Sequence, residues 1–194
     1  GDLDPRTRET LEDMRAEVTR ISQTVRQLMD FARSRPLQRR NTRLSQVVAS
    51  AVDRIREDPT AAGVTIERHG AVDEDDEPVL AIDGSRLEEA LCNLLSNAVQ
   101  AAPEGTIRVS LYNDADDCHI RVEDDGPGIP ESERARLFEP FHTTRPVGSG
   151  TGLGLAVAHG VARSHGGELT LSAGDLPGAC FDLRLPRRET EAPS

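Results

Sequence analysis

Three short segments of this 194-residue chain combine residue types that could bind a nucleotide. In NLLSNAVQAA (93–102), Asn93 and Asn97 are four positions apart, so on a helix their amides lie on one face. Carboxylates and glycines follow in DDGPGIP (124–130), and GSGTGLGLAV (148–157) alternates glycine with other residues. An amide oxygen can bind Mg²⁺, and glycine-rich backbone before a helix can approach phosphates. The three segments together predict one nucleotide site.

In this order, with FEPFHTT (138–144) between the last two, the segments resemble the ATP-binding domain of sensor histidine kinases. The wider family includes DNA gyrase, the ninety-kilodalton heat-shock chaperones and MutL. The run PFHTT…GTGLGLAVAHGVARSHGG is most similar to the nitrogen-regulation class. The resemblance covers residues 9–187. It implies an α+β fold, a two-layer α/β sandwich of the Bergerat type, with helices on one face of a mixed, mostly antiparallel sheet and a long heptad helix in front.

The resemblance also implies residue roles. It places Mg²⁺ most firmly on Asn97, with Asn93 one turn earlier at the pocket wall as the second metal-binding residue, and it makes these two amides the predicted catalytic residues. In the family, the Asp of an Asp-X-Gly-X-Gly pattern accepts a bond from the adenine amine, and this role is assigned to Asp125, with Asp124 as a solvated neighbour. Such a carboxylate rejects guanine, whose carbonyl would face an acceptor. The other predicted ATP-binding residues are Gly126, Gly128, Ile129, Phe138, Thr143, Thr144, Arg145, Gly148, Gly150, Thr151, Gly152, Leu153, Gly154 and Leu155.

Each motif has a structural alternative when it is taken alone. The two amides could tie down neighbouring backbone, DDGPG could be a plain turn, and Arg145 could be solvated rather than bound to a phosphate. The pattern GxxxxGK[ST] is missing and no strand precedes the glycines, which excludes P-loop and dinucleotide sites. Segment 139–150 resembles a mobile ATP lid hinged by glycines, with Phe138 and Phe141 as its hydrophobic anchor.

Position 93 bears on the class of reaction. In the ATP-hydrolysing relatives, a glutamate four residues before the metal-binding Asn activates the attacking water. Here that position is Asn93, which has no useful basicity, so water attack should be slow. This favours a kinase over a chaperone or topoisomerase ATPase. The resemblance therefore implies transfer of the γ-phosphoryl group of ATP to a histidine, and from there to an aspartate of a response regulator.

An apolar a/d seam precedes the nucleotide motifs and needs a partner helix, although it could instead lie on the domain's own surface. Its members are Leu11, Met14, Val18, Ile21, Val25, Leu28 and Ala32. The seam resembles the second helix of a dimerisation and phosphotransfer hairpin, which implies a homodimer. The predicted organisation is this helix in 1–35, a basic linker in 36–43, the catalytic domain in 44–187 and a disordered tail in 188–194.

The phosphoacceptor histidine is expected on a first helix upstream. None of His69, His119, His142, His159 and His165 has the expected acidic residue and proline after it, so all five are predicted to be structural or exposed. This chain should thus bind ATP without phosphorylating itself. The predicted elements are helices over 44–55, 85–102 (capped by Asp83) and 151–165, strands over 64–70 and 79–83, and hairpins over 106–125 and 167–186.

Composition limits the alternatives. A net charge of −11 argues against nucleic-acid binding. No apolar run approaches the roughly 18 residues of a membrane helix, so this segment is expected to be cytoplasmic without membrane contact, though the parent protein could be anchored. Cys92, Cys118 and Cys180 are expected to be buried thiols.

Two other functions compete with the kinase interpretation. An anti-sigma-factor serine kinase of the same fold would lack the heptad seam. A non-catalytic dimerisation scaffold would not be expected to keep Asn97, Asp125 and the lid glycines.

Overall fold

The computed structural model describes residues 4, 6–8, 10–11, 14–15, 18, 36–70, 77, 79–143 and 151–187. Contacts divide the chain into two units, 1–35 and 36–194. In the first unit the described residues from 6 to 18 are helical, and Leu11, Met14 and Val18 are 48%, 60% and 62% exposed. The seam residues from Ile21 to Ala32 and the predicted tail 188–194 lie outside the described residues.

The second unit alternates short strands with three longer helices. In chain order the elements are β1 (Arg40–Arg43), α1 (Leu44–Arg56), a 3-10 turn (Pro59–Ala61), β2 (Thr65–His69), β3 (Val79–Ile82), α2 (Gly84–Ala101), β4 (Thr106–Asn113), β5 (Asp117–Asp124), α3 (Glu131–Arg134), α4 (Gly154–Ser164), β6 (Glu168–Ser172) and β7 (Cys180–Pro186). Among these residues no helix is both long and apolar enough to cross a membrane.

Five strands form the main sheet in the order β2-β4-β5-β7-β6. Strand β2 runs parallel to β4, and every other pair in this sheet is antiparallel. Alternate residues of the central strands, such as Ile120 and Val122 of β5, face the core and are almost fully buried. Helices α1, α2 and α4 cover this face with apolar side chains. The predicted α+β class, with helices on one face of a mixed sheet, is confirmed.

The stretch predicted as a basic linker is only partly a linker. Its second half forms β1, which pairs antiparallel with β3 from Arg40–Ile82 to Arg43–Val79. Composition suggested a linker because the side chains are polar and mostly exposed, but strand pairing uses backbone groups that composition does not report. The second half of the predicted linker is therefore hydrogen-bonded to β3, the strand that precedes α2.

The residues at the helix ends have the capping roles that the sequence predicts. The Asp83 carboxylate caps α2 by accepting a hydrogen bond from the Arg86 N–H at 3.2 Å. After α4, Gly166 has φ +80°, in the left-handed region that glycine adopts at helix ends. Helix α4 begins at Gly154, three residues after the predicted start. Helix α3 and the 3-10 turn were not predicted.

Candidate nucleotide-binding site

The two predicted amides lie on α2 as the spacing requires. Asn93 and Asn97 are both half-buried, whereas Leu91, Leu94 and Leu95 of the same helix are buried in the core. The leucines fix the rotation of α2 because turning the helix would expose them. The amides are thereby held at the edge of the core, where a ligand can reach them.

The start of α4 lies against Asn93. A Cβ atom on Gly154 would be 3.6 Å from both the Cβ and Oδ1 atoms of Asn93. Leu153, immediately before the helix, is fully buried, and its N–H donates to Thr151 Oγ1 at 3.3 Å. The first N–H groups of a helix have no partner within it and carry the positive end of its dipole. The amide-bearing face of α2 and the positive end of the α4 dipole therefore meet at one place.

The structure corrects the prediction that Asp124 is solvated. Its side chain is only 3% exposed, and Oδ1 accepts hydrogen bonds from the Gly126 N–H at 3.0 Å and the Ala179 N–H at 3.2 Å. The physical reason is strand alternation, because Asp124 has the same parity as the core residues Ile120 and Val122. The sequence HIRVED already contained this signal.

Asp125 has a different environment. It follows the last residue of β5, and its Oδ2 accepts a hydrogen bond from the Thr106 N–H at 2.9 Å, at the start of β4. The Asp125 carboxylate thus stabilises the start of β4. Counted back from Gly126 and Gly128, the Asp-X-Gly-X-Gly pattern also begins at Asp124. Both observations make Asp124, rather than Asp125, the candidate for the adenine-binding role.

Glycines surround the buried carboxylate. A Cβ atom on Gly126 would come within 2.9 Å of Asp124 Oδ1 and of the Ala101 carbonyl oxygen, and one on Gly178 would overlap Oδ1. Gly128 has φ +73°, and Ile129 packs partly against the core. Sequence analysis missed Gly178 and Ala179, because GAC reads only as the start of a strand.

Burial also affects the ionisation of this group. It raises the pKa of the Asp124 carboxyl above its ordinary value, although the hydrogen bonds from the Ala179 and Gly126 N–H groups act in the opposite direction. The nearby Asp125 adds a smaller rise. A ligand amine that bonded to the carboxylate would compensate for part of this cost of burying a charge.

The two described ends of the predicted lid are joined. The Phe141 N–H donates to the Gly152 carbonyl oxygen at 3.0 Å, and both residues have φ of 65°. Thr143 is exposed and Thr151 half-buried beside this junction. The intervening predicted residues, Thr144, Arg145, Gly148 and Gly150, lie outside the described residues.

The two phenylalanines of the predicted hydrophobic anchor differ in burial. Phe138 is half-buried and stacks on His159, with ring centroids 4.8 Å apart. Phe141 is 60% exposed and has a left-handed backbone conformation, with φ of 65°. Leu155 packs partly against the core, as does Phe138.

The histidines have structural contacts, as predicted. His119 and His165 are buried, His142 lies 2.8 Å from the Glu133 carboxylate, and His69 is near the surface beside Glu67. The predicted burial of the cysteines is confirmed for Cys118 and Cys180, and Cys92 is half-buried. Burial raises the pKa of the Cys118 thiol to about 11 and of the Cys180 thiol to about 12, so neither forms a thiolate at neutral pH.

A pair of glycine substitutions tests the lid junction. A Cβ atom on Gly152 would lie 2.5 Å from the Phe141 carbonyl carbon and 2.8 Å from the His142 oxygen, in a left-handed conformation. We expect Gly152→Ala to lower the free energy of unfolding by about 1–3 kcal/mol. Gly160→Ala is the matched control, because Gly160 is in α4 with open space around it. It should raise stability by about 1 kcal/mol. If chemical denaturation shows the same change in the free energy of unfolding for both variants, the close contact between Gly152 and Phe141 is contradicted.

Comparison with known proteins identifies the family. The sequence profile of the "histidine kinase-, DNA gyrase B-, and HSP90-like ATPase" family matches residues 82–189. The signal transduction histidine-protein kinase AtoS of Escherichia coli is 33% identical over 94% of this chain and 30% of its own length. The chain belongs to this ATPase family and is homologous to sensor histidine kinases. It spans about a third or less of the curated relatives it matches.

Solved structures agree with this assignment. The mycobacterial sensor histidine kinase MprB is 30% identical, with a TM-score of 0.65 over 76% of this chain and 97% of that one. Full-length ShkA, solved in complex with AMPPNP, has a TM-score of 0.80 over 96% of this chain and 40% of that one. At 23% identity, ShkA supports the fold only.

Proposed function

We propose that this chain is the catalytic, ATP-binding part of a sensor histidine kinase and that Mg-ATP binds between α2 and the lid. The observation that carries the proposal is the placement of three groups along α2: the N-terminus of α4 lies against Asn93, the half-buried Asn97 is one turn further, and the buried Asp124 lies beside Gly126 at the end of the helix. The family membership supports the same ligand.

At the base end of the site, Asp124 is proposed to bind adenine. Both hydrogen bonds found on its carboxylate among the described residues use Oδ1, so Oδ2 is the oxygen proposed to accept from the adenine amine. Guanine presents a carbonyl at that edge and would repel the carboxylate. Gly126 and Gly128 let the backbone pass close to the flat base.

At the phosphate end, the α4 N-terminus and the described residues before it, Thr151 to Leu153, are proposed to bind phosphate oxygens. The donor set fits Mg²⁺, because Asn93 and Asn97 offer uncharged hard oxygens and the phosphates supply the negative charge. Mg²⁺ when bound would neutralise charge on the transferring phosphoryl group. Asn97 is the proposed metal ligand, and Asn93 lines the wall beside Gly154.

The proposed reaction is phosphoryl transfer to a histidine. A ring nitrogen of the acceptor histidine forms a bond to the γ-phosphorus while the bond to the β–γ bridging oxygen breaks, releasing ADP. The chain contributes mainly positioning and charge neutralisation. Since Asn93 cannot act as a base, we expect little hydrolysis of ATP by water.

The wider partnerships are also proposals. The exposure of Leu11, Met14 and Val18 supports a homodimer through the heptad seam. In the intact protein, a response regulator would accept the phosphoryl group on an aspartate. Use of ATP supports a cytoplasmic position for this segment.

Transfer in trans tests the proposed function. The chain is mixed with γ-labelled Mg-ATP and a separate helical hairpin carrying the acceptor histidine of the intact protein. We expect acid-labile, base-stable label on the hairpin, with none when Asn97→Ala replaces the wild type. Acid-stable label would instead indicate the serine-kinase alternative. Failure of the wild type to bind ATP would support the scaffold alternative and overturn the proposal.

A further inference from the structure

A buried histidine links the two helices of the proposed site. His165, which follows α4, is 3% exposed, and its Nε2 accepts a hydrogen bond from the Asp83 N–H at 3.0 Å. Its Nδ1 lies 2.8 Å from the Val161 carbonyl oxygen and donates to it. Because the Asp83 amide can only donate, the ring must be neutral with its proton on Nδ1. Asp83 is also the N-cap of α2.

This link lies at one end of an antiparallel helix pair, and the nucleotide groups lie at the other. Asn93 is ten residues beyond Asp83, and Gly154 is eleven residues before His165. At the helical rise, these separations are roughly 15 Å and 16 Å. The matching lengths bring Gly154 against Asn93 when His165 is bonded to Asp83. The histidine bond and the Gly154–Asn93 contact therefore belong to one axial offset of α2 and α4.

We propose that His165 is a positioning residue that sets the register between α2 and α4, and through it the distance between the Asn97 amide and the phosphate-binding start of α4. The inference rests on the proposed function, because it assigns those two groups to one nucleotide. A helix shift of about 1 Å would misalign groups that must contact the same phosphates. Adenine binding depends on Asp124 of β5 and should not change.

Exposed contacts reinforce the same junction. Arg39 donates to the Ala81 oxygen at 3.2 Å and to the Ser164 oxygen at 3.5 Å, and the Gln38 N–H donates to Asp83 Oδ2 at 2.9 Å. The charged groups near the imidazole are Arg39, Asp83 and Arg86. Burial lowers the pKa of His165, which keeps Nε2 an acceptor at neutral pH. Of these contacts, only the histidine joins the helices from inside the core.

The test compares two ligands on the full 194-residue chain. Mg-ATP uses both ends of the site, whereas adenosine uses only the base end. We expect His165→Ala to weaken Mg-ATP binding by about 10-fold or more while adenosine affinity stays within about 2-fold. His165→Gln, whose Oε1 can accept the Asp83 N–H, should restore most of the Mg-ATP affinity. His69→Ala, at an exposed histidine on β2, is the control and should match the wild type.

A second measurement uses the wild type and does not depend on the variants folding. Nitrogen–nitrogen coupling across the Asp83 N–H···Nε2 bond reports the link directly by NMR as pH falls and His165 becomes protonated. We expect the ratio of Mg-ATP to adenosine affinity to fall together with the coupling. An unchanged ratio after the coupling is lost would overturn the proposal, as would equal losses of both ligands in a folded His165→Ala. Wild-type protein that bound neither ligand would instead refute the proposed function.

Discussion

Replacing Asn97 with alanine is expected to weaken Mg-ATP binding by about 100-fold or more, because one amide oxygen that holds the metal against the phosphates is lost. The loss should disappear when Mg²⁺ is removed by chelation, since wild type and variant then bind ATP equally weakly. Adenosine affinity should remain unchanged. Isothermal titration calorimetry with Mg-ATP, with ATP after chelation of Mg²⁺, and with adenosine distinguishes a loss of metal binding from general damage to the pocket.

Gln100→Ala is the matched control for Asn97→Ala. Gln100 also carries an amide on α2, three residues later, but it is exposed and its side chain donates to Ser96 at 3.2 Å. Its removal should leave Mg-ATP affinity unchanged. If Asn97→Ala binds Mg-ATP as well as Gln100→Ala does, Asn97 is not the metal ligand and the two amides are structural.

Asp124→Asn should weaken ATP binding by about 30-fold or more, because a charge-assisted acceptor for the adenine amine is replaced by a neutral amide. Asp125→Asn, on the neighbouring carboxylate that bonds the Thr106 N–H, should cost less than about 3-fold. The two residues share their type and the change made, and they differ in burial and in hydrogen-bond partners. The opposite ranking would restore the adenine role to Asp125.

The same Asp124 variant should gain stability as it loses ligand. Burial raises the pKa of this carboxyl, so the folded state holds the proton more tightly than the unfolded state. The contribution of this carboxyl to stability therefore falls as pH rises from about 4 through its folded pKa. Apo Asp124→Asn should melt above the wild type at pH 7, and the difference should shrink at pH 4. A lower melting temperature at pH 7 would show that the charged form is stabilised in the fold.

The sequence alone predicted the features that depend on nearby residues. Helix periodicity predicted that Asn93 and Asn97 lie on one face. The cap of α2 by Asp83 was also predictable, because a capping side chain bonds a backbone N–H only three residues away. Strand alternation and turn residues predicted the hairpin of β4 and β5. The order of the motifs identified the family. These signals are local, so they can be read without knowing which elements meet.

Residues 40–43 and Asp124 are the positions where prediction from the sequence failed. Residues 40–43 read as a linker from composition, although their backbone pairs with a strand about forty residues away. The prediction that Asp124 is solvated is wrong, because the parity of Ile120 and Val122 places it on the buried face. The second error was avoidable from the sequence, and the first was not.

Only the tertiary structure decided which distant groups meet. The Ala179 N–H that holds Asp124 is 55 residues away, and the imidazole of His165 that accepts from Asp83 is 82 residues away. No local propensity encodes such contacts, because they depend on how the sheet orders its strands and how α2 and α4 pack against it. The sequence thus determined the chemical groups and the helices and strands that carry them, and the packing of those elements determined their spacing in the site.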